Sequence, residues 1–202
     1  MADGTRVWTI PNAISVARLA CVPLFLWLLW GANEGMRAAL LLAVLGATDW
    51  VDGWIARRYD QGSELGKILD PTADRVLLVA AAVALLTRDM SGPVDVLLWI
   101  VLVREIVIAA VTIGLALAGA RRIDVVWAGK AGTLAVMFAL PMFLAAESVS
   151  SDAVSVLFSF AGWGFAIGGV VLGYYAAANY VPAARLALAE GRAARRQAEV
   201  VT

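Results

Sequence analysis

Long apolar stretches alternate with short polar ones along the whole chain. A helix that crosses the hydrocarbon core of a bilayer takes about 20 mostly apolar residues. Six stretches come close to that length, at about 13–31, 36–58, 71–88, 93–119, 127–146 and 154–180. This pattern predicts an all-α integral membrane protein with six transmembrane helices.

Basic residues fall mainly on one side of these predicted helices. If the N-terminus is cytoplasmic, the cytoplasmic loops and tail hold Arg57, Arg58, Lys67, Arg121, Arg122, Lys130, Arg185, Arg192, Arg195 and Arg196. The external loops then hold only Arg37 and Arg88. Positive residues favour the cytoplasmic side, so both termini are predicted to be cytoplasmic, in a multi-pass protein of the cytoplasmic membrane.

Composition agrees with this interpretation and narrows the chemistry. Of the 202 residues, 62% are hydrophobic and 16% are charged, against about 25% charged in soluble domains. Six spans predict one membrane domain over residues 1–202, with a cytoplasmic tail from about residue 183. The net charge of zero argues against nucleic acid as a partner. Histidine is absent from the sequence, so a general base has to be Asp, Glu, Lys or Tyr.

Four aspartates lie at fixed spacing where the second predicted helix ends and the third begins. The run reads D-x2-D-G-x2-A-R-x8-G-x3-D-x3-D, from Asp49 and Asp52 to Asp70 and Asp74. Each carboxylate would cost about 2.5–3.5 kcal/mol at the centre of a membrane helix, so a cationic partner is expected, and a divalent metal is the simplest. Spacings of three and four place each pair on one helix face.

The short connection between the two helices predicts that they are antiparallel neighbours, so the four carboxylates converge near the cytoplasmic face. Carboxylate oxygens suit hard cations such as Mg²⁺ or Mn²⁺, and four carboxylates suit two ions. Two ions can stabilise the attacking and leaving oxygens of a phosphoryl displacement. A helix N-cap is the simpler interpretation of Asp70 alone, because Pro71 follows it.

This run is filled at every defined position and resembles the signature of the CDP-alcohol phosphatidyltransferase family. The resemblance implies an enzyme with about six membrane helices that transfers the phosphatidyl group of CDP-diacylglycerol to an alcohol and releases CMP. It also implies a homodimer. Together with the predicted topology, it implies an active site that faces the cytoplasm and meets membrane lipids.

The resemblance also implies a role for each position of the run. Two divalent cations, Mg²⁺ or Mn²⁺, would be held by Asp49, Asp52, Asp70 and Asp74. Asp74 would also be the general base that takes the proton of the acceptor hydroxyl. The CDP pocket would be contacted by Gly53, Ala56, Arg57 and Gly66. Gly66 can also be a packing glycine, and Arg57 can be a positive-inside anchor.

The segment Thr9–Arg18, which reads TIPNAISVAR, resembles the start of the family branch that contains phosphatidylglycerophosphate synthases and cardiolipin synthases. The alternative is an interfacial turn that leads into the first helix, with Arg18 snorkelling towards the headgroups. At the other end of the chain, Gly164-x3-Gly168 and Gly169-x3-Gly173 predict close packing of the sixth helix, because small residues let helices approach.

Two basic residues are candidates for binding the acceptor. Arg104, in the fourth predicted helix, precedes Glu105; either the two neutralise each other, or Arg104 contacts a phosphate while Glu105 bonds to another helix. Lys130 opens the fifth helix. Glycerophosphate-using relatives tend to have a second lysine two positions later, where this chain has Gly132, and a further arginine where it has only the apolar or small residues 106–119.

This shortage of positive charge favours phosphatidylglycerol, a lipid with one phosphodiester charge, as the acceptor, which would give cardiolipin. Glycerol-3-phosphate, giving phosphatidylglycerophosphate, is the close alternative. A cation-coupled membrane transporter is the alternative from another class, because membrane carboxylates also mark ion pathways. The four aspartates near one membrane face, with no second half that repeats them, argue against a transporter.

Overall fold

A computed structural model describes the backbone of residues 9–58, 66–88, 90, 92–117 and 127–201. Within those ranges it describes all side chains except those of residues 49–50, 52–57, 67–68, 116–117 and 180–201. The helices are α1 (Ile10–Leu26, continued by a π-helical turn, Trp27–Gly31), α2 (Gly35–Arg58), α3 (Gly66–Leu86), α4 (Gly92–Leu117), α5 (Trp127–Ser148) and α6 (Asp152–Val201). Within the described ranges there is no strand, so the predicted all-α fold is confirmed.

Helix length and apolarity identify a membrane protein. Four segments of the described chain are long and apolar enough to cross a bilayer: Ile10–Gly31, Gly92–Leu115, Trp127–Ser148 and Asp152–Asn179. The side chains described from the start of α2 form a shorter apolar stretch, Gly35–Thr48. Every 18-residue stretch of α3 contains Asp70, Asp74 and Arg75. The charged residues of the aspartate run therefore interrupt the apolar sequence of α3, and the predicted count of six spans stays a prediction.

The first helix begins at Ile10, three residues before the start that hydropathy alone predicts. Thr9 is extended and caps the helix, since its Oγ1 accepts a hydrogen bond of 3.3 Å from the backbone N–H of Asn12. Pro11 lies in the first turn, where its missing N–H costs no helical hydrogen bond. The segment Thr9–Arg18 is thus a capped helix start and not an interfacial turn.

Helix α1 packs against both helices that carry the aspartate run, α2 and α3. Its buried residues are Asn12, Ser15, Arg18, Val22 and Phe25, spaced three or four apart. The C-terminal part of this face is apolar, and Val22 and Phe25 enter the common hydrophobic core. The N-terminal part is polar, and its Ser15 and Arg18 contact α3.

At the point where Gly132 crosses α6, the backbones of α5 and α6 approach each other closely. A Cβ atom placed on Gly132 of α5 would lie 2.8 Å from the carbonyl oxygen of Gly169 and 2.9 Å from the backbone nitrogen of Gly173. Small residues at a crossing let backbones approach in this way. Of the two predicted glycine stripes, only Gly169-x3-Gly173 has this role, since a Cβ on Gly164 or Gly168 would meet nothing within 4 Å.

Polar contacts tie the helix ends together on the side opposite the aspartates. Arg88, just beyond α3, donates hydrogen bonds to Glu147 Oε1 at 2.9 Å and to Asn33 Oδ1 at 2.6 Å. Trp30 donates its indole N–H to Thr87 Oγ1 at 2.8 Å. These contacts connect the end of α3 with the end of α5 and with the segment between α1 and α2.

Candidate active site

Two carboxylates of the predicted site lie one turn apart near the start of α3. The helix begins at Gly66 and continues through Pro71, so Asp70 lies within the first turns. The N-cap interpretation of Asp70 is therefore wrong. The Asp70 side chain is 38% exposed and that of Asp74 is 18% exposed, which leaves carboxylate oxygen accessible to a ligand.

Both carboxylates are contacted by one face of α1. The Ser15 hydroxyl lies 3.1 Å from Asp70 Oδ1 and 3.1 Å from the carbonyl oxygen of Pro11; its single proton can be donated to one of them at a time. Arg18 donates a hydrogen bond from Nη1 to Asp74 Oδ1, and the same nitrogen lies 3.9 Å from Asp70 Oδ1. Residues three apart share a helix face, which explains why Ser15 and Arg18 reach neighbouring carboxylates.

Arg18 is buried, with only 1% of its surface exposed. The interpretation that it snorkels to the headgroups is wrong, because its guanidinium ends on the carboxylates of α3. Neither Ser15 nor Arg18 is among the predicted site residues. The signal was present in the segment Thr9–Arg18, whose capping threonine fixes the helical register that directs both side chains towards α3.

The α2 half of the predicted site lies largely outside the described side chains. Backbone of α2 carries Asp49 and Asp52 three residues apart on a continuous helix, as predicted, but the convergence of all four carboxylates stays a prediction. The same holds for the CDP contacts predicted on α2, which are Gly53, Ala56 and Arg57. Gly66 is the first residue of α3 and is half-buried.

Chemistry of the described donors fits a divalent cation. Asp70 and Asp74 offer carboxylate oxygens, and the Ser15 hydroxyl adds a neutral oxygen beside them. Oxygen ligands of this kind are what Mg²⁺ and Mn²⁺ prefer. The described side chains alone include no cluster of three or more Asp, Glu, Cys or His residues, and the α2 carboxylates predicted to complete the site lie outside them.

The first predicted acceptor residue, Arg104, lies buried in α4. Its Nη1 donates to Glu105 Oε1 at 2.8 Å, and the two residues are 7% and 6% exposed. They therefore bond to each other, which is the neutralised pair that the sequence left open. Arg104 also fills the space beside Gly173 of α6, where a Cβ atom would lie 2.7 Å from its Nε. Among the described residues, that Nε has no hydrogen-bond partner.

The second predicted acceptor residue, Lys130, lies exposed in the first turns of α5. It precedes Gly132 by two residues, and Gly132 contacts the same Gly173 that Arg104 packs against. Helix α4, which carries Arg104, and helix α5, which carries Lys130, thus both approach α6 at Gly173. A side chain at position 132 would force α5 and α6 apart, since the atoms that it would meet belong to the α6 backbone.

Comparison with known proteins identifies the family. The family model described as CDP-alcohol phosphatidyltransferase matches residues 8–175. The chain is 39% identical over 184 residues to a cardiolipin synthase (CMP-forming) of Streptomyces coelicolor, in an alignment that covers 87% of this chain and 82% of that protein. It is 31% identical over 181 residues to a CDP-diacylglycerol–glycerol-3-phosphate 3-phosphatidyltransferase of Shigella flexneri, covering 88% of this chain and 96% of that protein. The chain, which the aspartate run already placed near these enzymes, belongs to the CDP-alcohol phosphatidyltransferase family.

Proposed function

We propose that this enzyme transfers the phosphatidyl group of CDP-diacylglycerol to phosphatidylglycerol, giving cardiolipin and CMP. The hydroxyl oxygen of the acceptor forms a new bond to the phosphorus of the phosphatidyl group. The bond between that phosphorus and the CMP oxygen breaks, and the acceptor proton goes to Asp74. The similarity to a Streptomyces cardiolipin synthase over most of both chains supports this choice of acceptor.

The observation that carries the choice of acceptor is the closed crossing at Gly132. A second basic side chain at this position, as in relatives that use glycerol-3-phosphate, has no space between α5 and α6. Arg104 forms an ion pair with Glu105, so the two residues together bring no net positive charge. A phosphodiester carries one negative charge and a phosphomonoester about two, so this arrangement favours a phosphodiester lipid.

Glycerol-3-phosphate is the second candidate acceptor, on a specific observation. The Shigella relative whose name includes this acceptor aligns over 96% of its length at 31% identity. Among the described residues, the buried Nε of Arg104 has no hydrogen-bond partner. Lys130 is exposed and lies two residues before Gly132 in the sequence. The positive charges of Arg104 and Lys130 would together balance the charge of a phosphomonoester if both side chains reached it.

The residues of the aspartate run and of α1 would divide the work of the transfer among them. Asp49, Asp52, Asp70 and Asp74 would hold two divalent cations, Mg²⁺ or Mn²⁺, which when bound neutralise the charge of the donor diphosphate. Asp74 has two carboxylate oxygens with several lone pairs, so it can accept from Arg18 and still take the proton of the acceptor hydroxyl. Gly53, Ala56, Arg57 and Gly66 would contact the CDP group, with Arg57 opposing phosphate charge.

The proposed topology in the membrane follows from the distribution of charge along the chain. All six helices would cross the cytoplasmic membrane, with both termini and the active site at the cytoplasmic face. The positive-inside distribution of the sequence supports this orientation, and so does the position of the aspartates at one end of α2 and α3. The enzyme would act as a homodimer among membrane lipids. A cation transporter is not favoured, because the outer end of α3 leads to the Arg88 contacts and not to further carboxylates on α3.

In the test, radiolabelled CDP-diacylglycerol is given to the purified enzyme with Mg²⁺ or Mn²⁺ and with one acceptor at a time. We expect cation-dependent cardiolipin and CMP with phosphatidylglycerol, and at most slow product with glycerol-3-phosphate. Phosphatidylglycerophosphate as the faster product would overturn the acceptor and keep the family activity. Cation flux through liposomes that contain the enzyme but no CDP-lipid, lost on Asp49→Ala, would instead favour the transporter.

A further inference from the structure

An arginine from outside the aspartate run shares the space expected for metal. Arg18 bonds to Asp74 and lies 3.9 Å from Asp70 through the same nitrogen, Nη1. Its side chain is completely buried, whereas the two aspartate side chains keep 38% and 18% of their surface exposed. The guanidinium therefore reaches the carboxylates from the protein side, and the opposite side is left for a ligand.

The charges explain why an arginine is placed there. A buried carboxylate or guanidinium is costly unless it is paired, and removing one partner of such a pair leaves an uncompensated charge. Without bound cations, Asp70 and Asp74 would repel each other across one helical turn. The guanidinium of Arg18 brings a positive charge to the pair and offsets that repulsion.

We infer that Arg18 is the internal counter-ion of Asp70 and Asp74: it balances their charge when no metal is bound, and it weakens the binding of a divalent cation to the same carboxylates. The metal half of this inference rests on the proposed function, whereas the charge balance rests on the contacts of α1 with α3. Arg18 is thus a positioning residue that acts through the aspartates, and α1 becomes part of the active site.

Removing the charge of Arg18 lowers the stability of the metal-free protein and raises its affinity for a divalent cation. Loss of the Arg18 charge makes the metal-free protein less stable, because the carboxylates lose their partner. The same loss makes a divalent cation bind more tightly, because a positive charge a few ångströms from the cation site has been removed. A side chain that only fills space would lower stability equally with and without metal and would not tighten metal binding.

The experiment compares wild type, Arg18→Met and Arg75→Met as purified full-length protein. Arg75 is next to Asp74 in sequence and half-buried, but among the described contacts it pairs with neither aspartate, so its substitution controls for loss of net charge. The Mn²⁺ dissociation constant is measured by electron paramagnetic resonance of free Mn²⁺, and the unfolding temperature is measured in EDTA and in saturating Mn²⁺.

We expect Arg18→Met to bind Mn²⁺ at least about tenfold more tightly than wild type, and Arg75→Met to stay within about threefold of wild type. In EDTA, Arg18→Met should unfold at least about 6 °C below wild type, and saturating Mn²⁺ should close most of that gap. Unchanged or weaker Mn²⁺ binding by Arg18→Met, with the same gap in EDTA and in Mn²⁺, would overturn the inference.

A double variant keeps the test decisive if Arg18→Met is too unstable to purify. Arg18→Met combined with Asp74→Asn removes both charges, so in EDTA it should be more stable than Arg18→Met alone and should be recovered in higher yield. A double variant that is no more stable in EDTA than Arg18→Met would contradict the role of Arg18 as counter-ion. If wild type binds no Mn²⁺, the proposed metal site is wrong. The comparison of wild type, single and double variants in EDTA then still supports or overturns the charge balance.

Discussion

Replacing Gly132 by alanine tests the close crossing on which the choice of acceptor depends. The new Cβ would lie 2.8 Å from the carbonyl oxygen of Gly169 and 2.9 Å from the nitrogen of Gly173. Ordinary contact begins near 3.4 Å, so α5 and α6 would have to separate by about 0.6 Å. Both obstacles are backbone atoms, and no flexible side chain can move away to make room.

The cost follows from the packing of a dense interior. Adding a methyl group to a well-packed site costs about 1–3 kcal/mol, and replacing a helical glycine by alanine returns roughly 0.5–1 kcal/mol. Gly168→Ala is the matched control, because a Cβ there meets nothing within 4 Å, so only the favourable part applies. We therefore expect the two variants to differ by about 1–3 kcal/mol, or roughly 2–12 °C in unfolding temperature for a chain of this size.

Thermal unfolding in detergent, followed by circular dichroism, measures this difference directly. Gly132→Ala should unfold below wild type, and Gly168→Ala at or slightly above it. Equal unfolding temperatures for the two variants would refute the reasoning, because they would show that α5 and α6 have room for a side chain at the crossing. A basic side chain at position 132 would then also have room, and Gly132 would no longer count against a dianionic acceptor.

Three further substitutions test other parts of the account. Asp70→Asn should lower transfer by roughly 100-fold or more, since it removes one charge from the metal site, and near-normal activity would contradict the metal assignment. Arg104→Met should destabilise the protein by about 3–5 kcal/mol because Glu105 stays buried without a partner, and adding Glu105→Gln should recover part of that loss in the same unfolding assay. Arg88→Ala should cost only about 1 kcal/mol, since its bond with Glu147 lies near the surface, and its transfer rate should equal that of wild type.

Hydrophobic pattern predicted all six helices, because apolar runs of membrane length leave few alternatives. It placed the start of α1 three residues late, since hydropathy does not register the cap formed by Thr9 and the compatible Pro11. It also counts α2 and α3 as full spans, which stays a prediction, since four described segments are long and apolar enough to cross a bilayer. The late start of α1 arises because polar residues take part in the helix start.

Tertiary contacts decided what the sequence left open. The glycine stripes at Gly164-x3-Gly168 and Gly169-x3-Gly173 have the same spacing, yet only the second lies against α5, because the rotation of α6 is set by its neighbours. Arg18 could be expected to snorkel or to be buried, and the outcome depends on carboxylates that lie 52 to 56 residues later in the chain. Local pattern carries no information about such a partner.

The central claim is that carboxylates of α3, completed by those of α2, hold divalent cations at the reacting phosphate. The most direct measurement is an anomalous difference map from crystals of the enzyme grown with Mn²⁺ and CDP. The account predicts two Mn²⁺ peaks, with oxygens of Asp70 and Asp74 at about 2.1 Å from them and the CDP diphosphate alongside. Peaks away from these aspartates, or CDP bound at another end of the helices, would contradict it.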